Sequence, residues 1–240
     1  MNYPPDYPEY VTEAEKEERA RKQVEKLRQK KPALAPVIIQ GRTLAKTWWG
    51  NSWNRNLEIY ADYTNRLARG RSYVKTGAVV DLQIETGLVT ALVQGSRRKP
   101  YDVRIKIAPL PEAQLQAILK LCNRRIANLE QLIAGQFPPE LAEIFTLRGK
   151  GLFPGSKEIA FDCSCPDWAY MCKHVTAVLY GIGVRFDQDP TLFFKLQDID
   201  FSLLLKKTVA EKVQNMLANA EKTGGKRVLA EADVPALFGL

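Results

Sequence analysis

Histidine and cysteine are both scarce in this sequence, which limits the chemistry that it can perform. Its 240 residues include one histidine and four cysteines. No H-E-x-x-H motif of metalloproteases, no H-x-E with P-C-x-x-C of zinc deaminases and no G-x-x-x-x-G-K-[S/T] loop of nucleotide hydrolases is present. The acidic residues form no pair that would indicate a nuclease. These absences argue against an enzyme.

Long apolar runs are also lacking. No stretch of eighteen apolar residues occurs, and the N-terminal MNYPPDYPEY has no basic region followed by an apolar one. Hydrophobic residues still make up 45% of the chain, which is ordinary for a folded protein. We therefore expect a cytoplasmic protein with no membrane partner.

The scarce residues are clustered rather than scattered. Cys163, Cys165, Cys172 and His174 lie within twelve residues, in the run FDCSCPDWAYMCKH. Thiolates and imidazole are the ligands that tetrahedral Zn²⁺ prefers, and four protein ligands leave no position open for water or substrate. The spacing therefore predicts a structural zinc site rather than a catalytic one.

Two other interpretations of the cluster are weaker. Free cysteine behaves as a small hydrophobic residue, so these residues would be ordinary core cysteines beside a buried histidine. A disulfide between Cys163 and Cys165 would close a strained loop, and a reducing cytoplasm disfavours it. Cys122 stands apart from the cluster. It belongs to a stripe of apolar residues at helical spacing, which predicts a core residue and not a ligand.

The residues around the cluster predict its local structure. A strand entering Cys163 would place Cys163 and Cys165 on one face, because side chains alternate along a strand. Pro166 and Asp167 favour a reversal of the chain after the second sulfur. A helix is expected over residues 170–181, with the last two ligands at its start. Together these elements would form a small ββα-like knuckle closed by the metal.

The same residues resemble a known family. The pattern C-x-C, a variable gap and C-x-H is similar to the SWIM-type zinc finger, and the flanking PDWA and CKHVTAVLY resemble its bacterial members. The upstream run TWWGNSWNRNLE is similar to the region before the finger in stand-alone bacterial proteins of this family. The resemblance implies metal ligation by Cys163, Cys165, Cys172 and His174. It also implies binding to DNA or protein, and association with Swi/Snf-type helicases.

The rest of the sequence indicates an α+β fold. Three strand candidates, residues 78–85, 88–94 and 101–108, are joined by turn signals and predict an antiparallel β-meander. Helices are expected over residues 47–60, 112–135, after Pro138-Pro139, and over 191–195 and 201–220. The tryptophans of the first helix keep core spacing. The predicted fold is this meander with packed helices, followed by the zinc knuckle and C-terminal helices.

Changes in composition divide the chain into four predicted regions. Residues 1–36 form a charged N-terminal arm and linker, 37–150 an α+β domain, 151–188 the SWIM-type zinc finger, and 189–240 a helical C-terminal region with a flexible tail. In the arm, Thr12 and Glu15 predict a capping box. The helix that follows is polar all round, so we expect it to be solvent-exposed or only partly formed.

Positive charge is concentrated upstream of the finger. The net charge is +8, and residues 41–110 hold twelve Lys or Arg against five Asp or Glu, a balance of +7. Residues 151–188 hold three against four, a balance of −1, and three thiolates with one zinc make the finger more negative. Nucleic acid is therefore expected to bind upstream, with the tyrosines stacking on bases. The predicted contacts are Arg66, Arg69, Arg71, Tyr73, Lys75, Arg97, Arg98, Lys99 and Tyr101.

Two functions stay open at this point. The first is a non-enzymatic, zinc-containing accessory protein that binds nucleic acid, DNA rather than RNA, and acts with a Swi/Snf-type helicase. The alternative is a protein–protein interaction adaptor that makes no contact with nucleic acid, in which the basic residues only keep the chain soluble. Salt-dependent binding to oligonucleotides separates the two.

Overall fold

The computed structural model describes residues 11–39, 41, 43–61, 63–122 and 139–200. The chain divides into two units, Met1–Ile199 and Asp200–Leu240, and every element described below belongs to the first. The predicted helix over 201–220, the second half of the predicted helix over 112–135 and the C-terminal tail lie outside the described residues.

Four strands form one antiparallel sheet in the order β1-β2-β3-β4. The first three confirm the predicted meander. The fourth comes from the cysteine cluster and pairs with β3, from Val103 opposite Cys163 to Ile107 opposite Ile159. The strand predicted to enter Cys163 is thus an edge strand of the main sheet. The strands are β1 Val79–Glu85, β2 Leu88–Val93, β3 Tyr101–Ile107 and β4 Ile159–Cys163.

Helices pack against this sheet, and the α+β class is confirmed. A short 3₁₀ turn, Ser156–Glu158, precedes β4. Among the described residues there are seven α-helices: α1 Glu13–Arg28, α2 Trp48–Glu58, α3 Thr64–Lys75, α4 Glu112–Cys122, α5 Pro139–Thr146, α6 Lys173–Gln188 and α7 Thr191–Leu196.

Helix α6 runs through the centre of the fold and is buried along most of its length. It packs between the sheet and the two helices α2 and α3. Trp49 and Trp53 of α2 are fully buried, and the Trp53 indole nitrogen donates a hydrogen bond to the Leu179 carbonyl oxygen of α6 at 2.9 Å. The prediction that these tryptophans belong to the core is therefore confirmed. The start of α6 is fixed in place by this packing.

Helix α3 is absent from the elements predicted above, because Gly70 stands in the middle of its sequence and glycine opposes helix formation. The structure gives the reason for the glycine. A Cβ at position 70 would lie 2.6 Å from the Thr176 Cβ and 3.1 Å from the Ala177 backbone nitrogen on α6. Only glycine lets the two helices approach this closely. Tertiary contact has overridden the local preference.

Helix α1 is completely formed and begins with the predicted capping box. The Thr12 hydroxyl accepts a hydrogen bond from the Glu15 N–H at 3.2 Å, and the Thr12 N–H donates to the Glu15 carboxylate at 2.8 Å. Most of the helix is exposed, as expected, but Ala20 is buried and the helix packs against β1. Lys31, just beyond it, forms an ion pair with Asp81 of β1 at 2.5 Å. The N-terminal segment is therefore attached to the sheet.

None of the helices formed by the described residues is both long enough and apolar enough to cross a membrane.

Candidate metal centre

The four predicted ligands are brought together where the sheet ends and α6 begins. Pairing with Val103 places Cys163 on the inner face of β4, and the chain leaves the sheet directly afterwards. Cys165 follows in the loop. Cys172 is the N-cap of α6, and its sulfur accepts a hydrogen bond from the Val175 N–H at 3.5 Å. His174 lies in the first turn, so one loop connects ligands from two elements that the core already holds.

The spacing of the donor atoms fits a small tetrahedral site. All four lie within 4.8 Å of one another. The His174 Nδ1 is 3.9 Å from the Cys163 Sγ and 4.0 Å from the Cys172 Sγ. Zinc bonds of about 2.3 Å to sulfur and about 2.0–2.1 Å to nitrogen would separate the ligand atoms by about 3.6–3.8 Å. These residues therefore form a group that can hold a metal ion once the widest pair of donor atoms closes by up to about 1 Å.

Hydrogen bonding distributes the protons unevenly among the three thiols. The hydrogen bond with Cys163, together with His174 and the Val175 N–H, lowers the pKa of Cys172 to about 4, against the effect of burial, which raises it. The same bond, together with burial, raises the pKa of Cys163 above its ordinary value. Burial raises the pKa of Cys165. A bound cation would displace the protons that these thiols carry, because thiolates are the form that ligates metal.

Two tyrosines fix the orientation of the His174 ring. Tyr101 stacks on it with the ring centroids 4.2 Å apart, and Tyr73 approaches edge-on at 5.4 Å. Because Nδ1 faces the sulfurs, metal binding there places the imidazole proton on Nε2. Nε2 is buried and has no hydrogen-bond partner in the described part of the chain. A Cβ on Gly95 would lie 2.6 Å from the Tyr101 ring and 3.3 Å from this nitrogen, so the stack requires glycine there.

The predicted nucleic-acid contacts do not all lie at the surface. Tyr101 is only 7% exposed and Tyr73 is half-buried, so both tyrosines predicted to stack on bases instead pack against His174. Arg66 forms an ion pair with Asp167 at 3.1 Å. Arg71 pairs with Glu58 at 2.5 Å. Within the described residues, the predicted cations that are exposed and form no ion pair are Arg69, Lys75, Arg97, Arg98 and Lys99.

Cations from four separate elements surround the two tyrosines. The Lys173 Nζ lies 5.6 Å from the Tyr73 ring centroid, and the Arg97 guanidinium carbon lies 5.2 Å from that of Tyr101. Burial raises the pKa of Tyr73, while the nearby charges of Lys16 and Arg69 lower it. Lys16 and Arg19 of α1 line a hollow beside Tyr73. We define the basic surface as Lys16, Arg19, Arg69, Arg97 and Lys173.

Three members of the basic surface were not predicted. Lys173 stands between two ligands, and that position alone could have identified it. The sequence does not show that Lys16 and Arg19 lie beside Tyr73, because their position depends on the packing of α1 against the sheet.

Comparison with known proteins gives one informative match. The chain is 41% identical over 148 residues to an uncharacterized protein of Mycobacterium tuberculosis, a match that covers 61% of this chain. It covers 53% of that protein, so the chain spans about half the length of the curated relative. No protein-family model matches the chain. No solved structure matches it either.

Proposed function

We propose that this chain is a SWIM-type zinc-finger protein that is not an enzyme. In this proposal zinc fixes the finger, the basic surface binds nucleic acid, DNA in preference to RNA, and the protein acts beside a Swi/Snf-type helicase. The observation that carries the proposal is the gathering of cations from four elements around the rings that pack on His174.

The donor set supports zinc as the metal. Three thiol sulfurs and one imidazole nitrogen suit zinc, whereas calcium and magnesium require oxygen ligands. With four protein ligands the ion would have no open position for a substrate. Bound zinc would supply a structural link between the end of β4 and the start of α6. This role agrees with a protein that is not an enzyme.

The distribution of charge supports nucleic acid as the ligand. Three thiolates and one zinc ion carry a net charge of −1, so the centre itself would repel phosphate. The basic surface lies around it and supplies the opposite charge. Each phosphate neutralised contributes a slope of about −0.7 for single strands, or about −0.9 for duplex DNA, to the logarithmic dependence of affinity on salt. Binding should therefore weaken steeply as salt rises.

The test is a salt series of oligonucleotide binding, measured by fluorescence anisotropy. Arg69→Ala with Arg97→Ala removes two exposed cations of the basic surface and should reduce the slope by about 1.4–1.8. The matched control is Arg104→Ala with Lys106→Ala, which removes two exposed cations from the outer face of β3. The control should bind like the wild type. An unchanged slope for the first variant, or no salt-dependent binding by the wild type, would contradict the proposal, and the second result would favour the adaptor.

The helicase partner is tested separately with the tagged full chain. A pull-down from the native cell should retain a Swi/Snf-type helicase after nuclease treatment. Loss of the helicase on nuclease treatment would mean that nucleic acid bridges the two proteins and that they make no direct contact.

A further inference from the structure

Trp168 is the large apolar side chain that the described part of the protein exposes most. It lies in the loop between Cys165 and Cys172 and is 81% exposed. Trp49 and Trp53 are buried, and Trp48 is half-buried against other aromatic rings. Indole rings are seldom left open to water, since burying one removes a large apolar area from solvent. An indole displayed on a short loop between metal ligands is available for a contact outside the chain.

The loop holds this indole in a defined place. The Tyr63 ring approaches the Trp168 ring edge-on, with the centroids 5.8 Å apart. The neighbouring Asp167 accepts a hydrogen bond from the Ala169 N–H at 3.3 Å and pairs with Arg66 at 3.1 Å. Both side chains of this ion pair are largely buried. The indole is therefore positioned before any ligand arrives, which reduces the entropy lost on binding.

One side of α3 connects the indole with the basic surface. Arg66, Arg69 and Tyr73 follow one another at intervals of three and four residues, so they line one stripe of the helix, and Tyr63 precedes the helix as its N-cap. Tyr63 contacts Trp168 at one end of the stripe, and Tyr73 contacts His174 at the other. Ten residues of helix span about 15 Å. An exposed ring and an exposed cation, Arg69, thus lie along one short path.

We propose that Trp168 is a stacking platform for an unpaired base, and that it makes this protein select single-stranded nucleic acid. The inference rests on the proposed binding of nucleic acid and adds the form of nucleic acid that is bound. An indole can stack on the face of any unpaired base, whereas the bases of a duplex have no free face. The phosphates that follow this base would be neutralised by Arg69 and the rest of the basic surface.

The chemistry around Trp168 favours a nucleic acid over a protein partner. A tryptophan that binds a protein stands at the centre of a well-packed apolar patch, in which lysine and acidic residues are depleted. The side chains that contact or adjoin this loop are instead the rings of Tyr63 and Tyr170, and the exposed cation Arg69 follows on α3. Aromatic rings interleaved with cations are typical of single-strand binding surfaces.

Trp168→Ala tests the inference in the full-length, zinc-loaded protein. Its affinity for an oligo(dT) single strand should fall by about 5- to 150-fold, the loss that removing one base–aromatic stack causes. Its affinity for a duplex of the same length should change by less than about twofold, because a paired base never occupied the indole. The salt slope should stay as in the wild type, because no cation is removed. Trp168→Phe should recover part of the affinity, and single strands should quench wild-type tryptophan fluorescence.

Ile38→Ala is the matched control. Ile38 is 62% exposed, and it lies beside Val184 and Asp187, at the end of α6 remote from the metal ligands. Its truncation also removes an exposed apolar side chain and should leave affinity for single strands unchanged. Metal content is measured for both variants, so that loss of zinc is recognised as such.

The possible results separate the two proposals. If Trp168→Ala binds single strands as tightly as the wild type while the wild type binds with a steep salt dependence, the stacking platform is refuted and the proposed function stands. The stacking platform is also refuted if Trp168→Ala keeps its affinity for single strands but no longer retains the helicase in a pull-down. That result would mean that Trp168 contacts a protein. If the wild type binds neither single strands nor duplexes, the proposed function itself is wrong.

Discussion

Removing the metal should open the finger loop but leave α6 folded. The loop over residues 164–171 is held at one end by Cys163 and Cys165 and at the other by Cys172 and His174. A short isolated finger folds only with its metal. Here, however, one side of the site belongs to the main sheet and the other to a core helix. The question is how much of the segment the rest of the protein holds without zinc.

The buried apolar side chains show how much stability the helix and the loop each have without the metal. Six large apolar side chains of α6 are buried, and each contributes about 1.5–3 kcal/mol, so together they contribute about 9–18 kcal/mol. Zinc contributes about 10–16 kcal/mol to isolated fingers, which is comparable. In the loop only Ala169 and Met171 are buried, and they contribute about 3 kcal/mol. The loop therefore depends on the metal, and the helix does not. The six side chains are Val175, Val178, Leu179, Ile182, Val184 and Phe186.

Hydrogen exchange followed by mass spectrometry measures this difference, with the zinc-loaded protein compared with the chelated one. Amides of the loop should become unprotected, and those of residues 177–186 should stay protected. Cys172→Ser should reproduce the chelated pattern, since serine still caps the helix at Val175 but supplies no thiolate. Cys122→Ser, whose side chain lies outside the described residues, should keep both metal and protection. The reasoning fails if residues 177–186 exchange as fast as the loop, or if the loop stays protected without metal.

Two substitutions test the packing that positions the site, each by urea unfolding. Gly70→Ala should lower the free energy of unfolding by about 1–3 kcal/mol, because the new methyl group meets Thr176 on α6. A gain of about 1 kcal/mol, as for an exposed helical glycine, would contradict this contact. Tyr180→Phe should cost about 1 kcal/mol, because the Tyr180 hydroxyl donates a hydrogen bond to the Glu58 carboxylate at 2.7 Å. Unchanged stability would mean that water replaces this bond without loss.

The parts of the fold that depend on local pattern could be predicted from the sequence. Strands β1 to β3 follow from alternating Val, Ile and Leu between turn residues, and each bound falls within one residue of the prediction. The pairing of β4 with β3 could not be read, because the two strands are separated by more than fifty residues and no local signal specifies a distant partner. Helix α3 was missed for a related reason. The sequence shows that Gly70 lowers helix propensity, but it does not show that glycine is needed for the close approach to Thr176 on α6.

At the site, the metal ligands could be predicted from residue type and spacing, whereas the residues exposed for nucleic acid could not. Three cysteines and a histidine at ligand spacing predicted the cluster that the structure forms. Tyrosine beside arginine is equally compatible with base stacking and with core packing. Only burial separates the two, and Tyr73 and Tyr101 prove to pack on His174. The contribution of α1 to the basic surface could not be predicted from the sequence, because a helix that is polar all round gives no indication of where it packs.

The position of the tyrosines assigns the metal an indirect role in the proposed binding. Arg97 lies over Tyr101 and Lys173 over Tyr73, and both rings pack on the imidazole that faces the three sulfurs. A cation held against a ring depends on that ring for its position, and each ring depends on His174. Three thiolates with one zinc ion would carry a net charge of −1, so the centre would attract no phosphate itself. The metal would instead hold His174 in place, and with it the two rings that position Arg97 and Lys173. It would also hold the loop that displays Trp168.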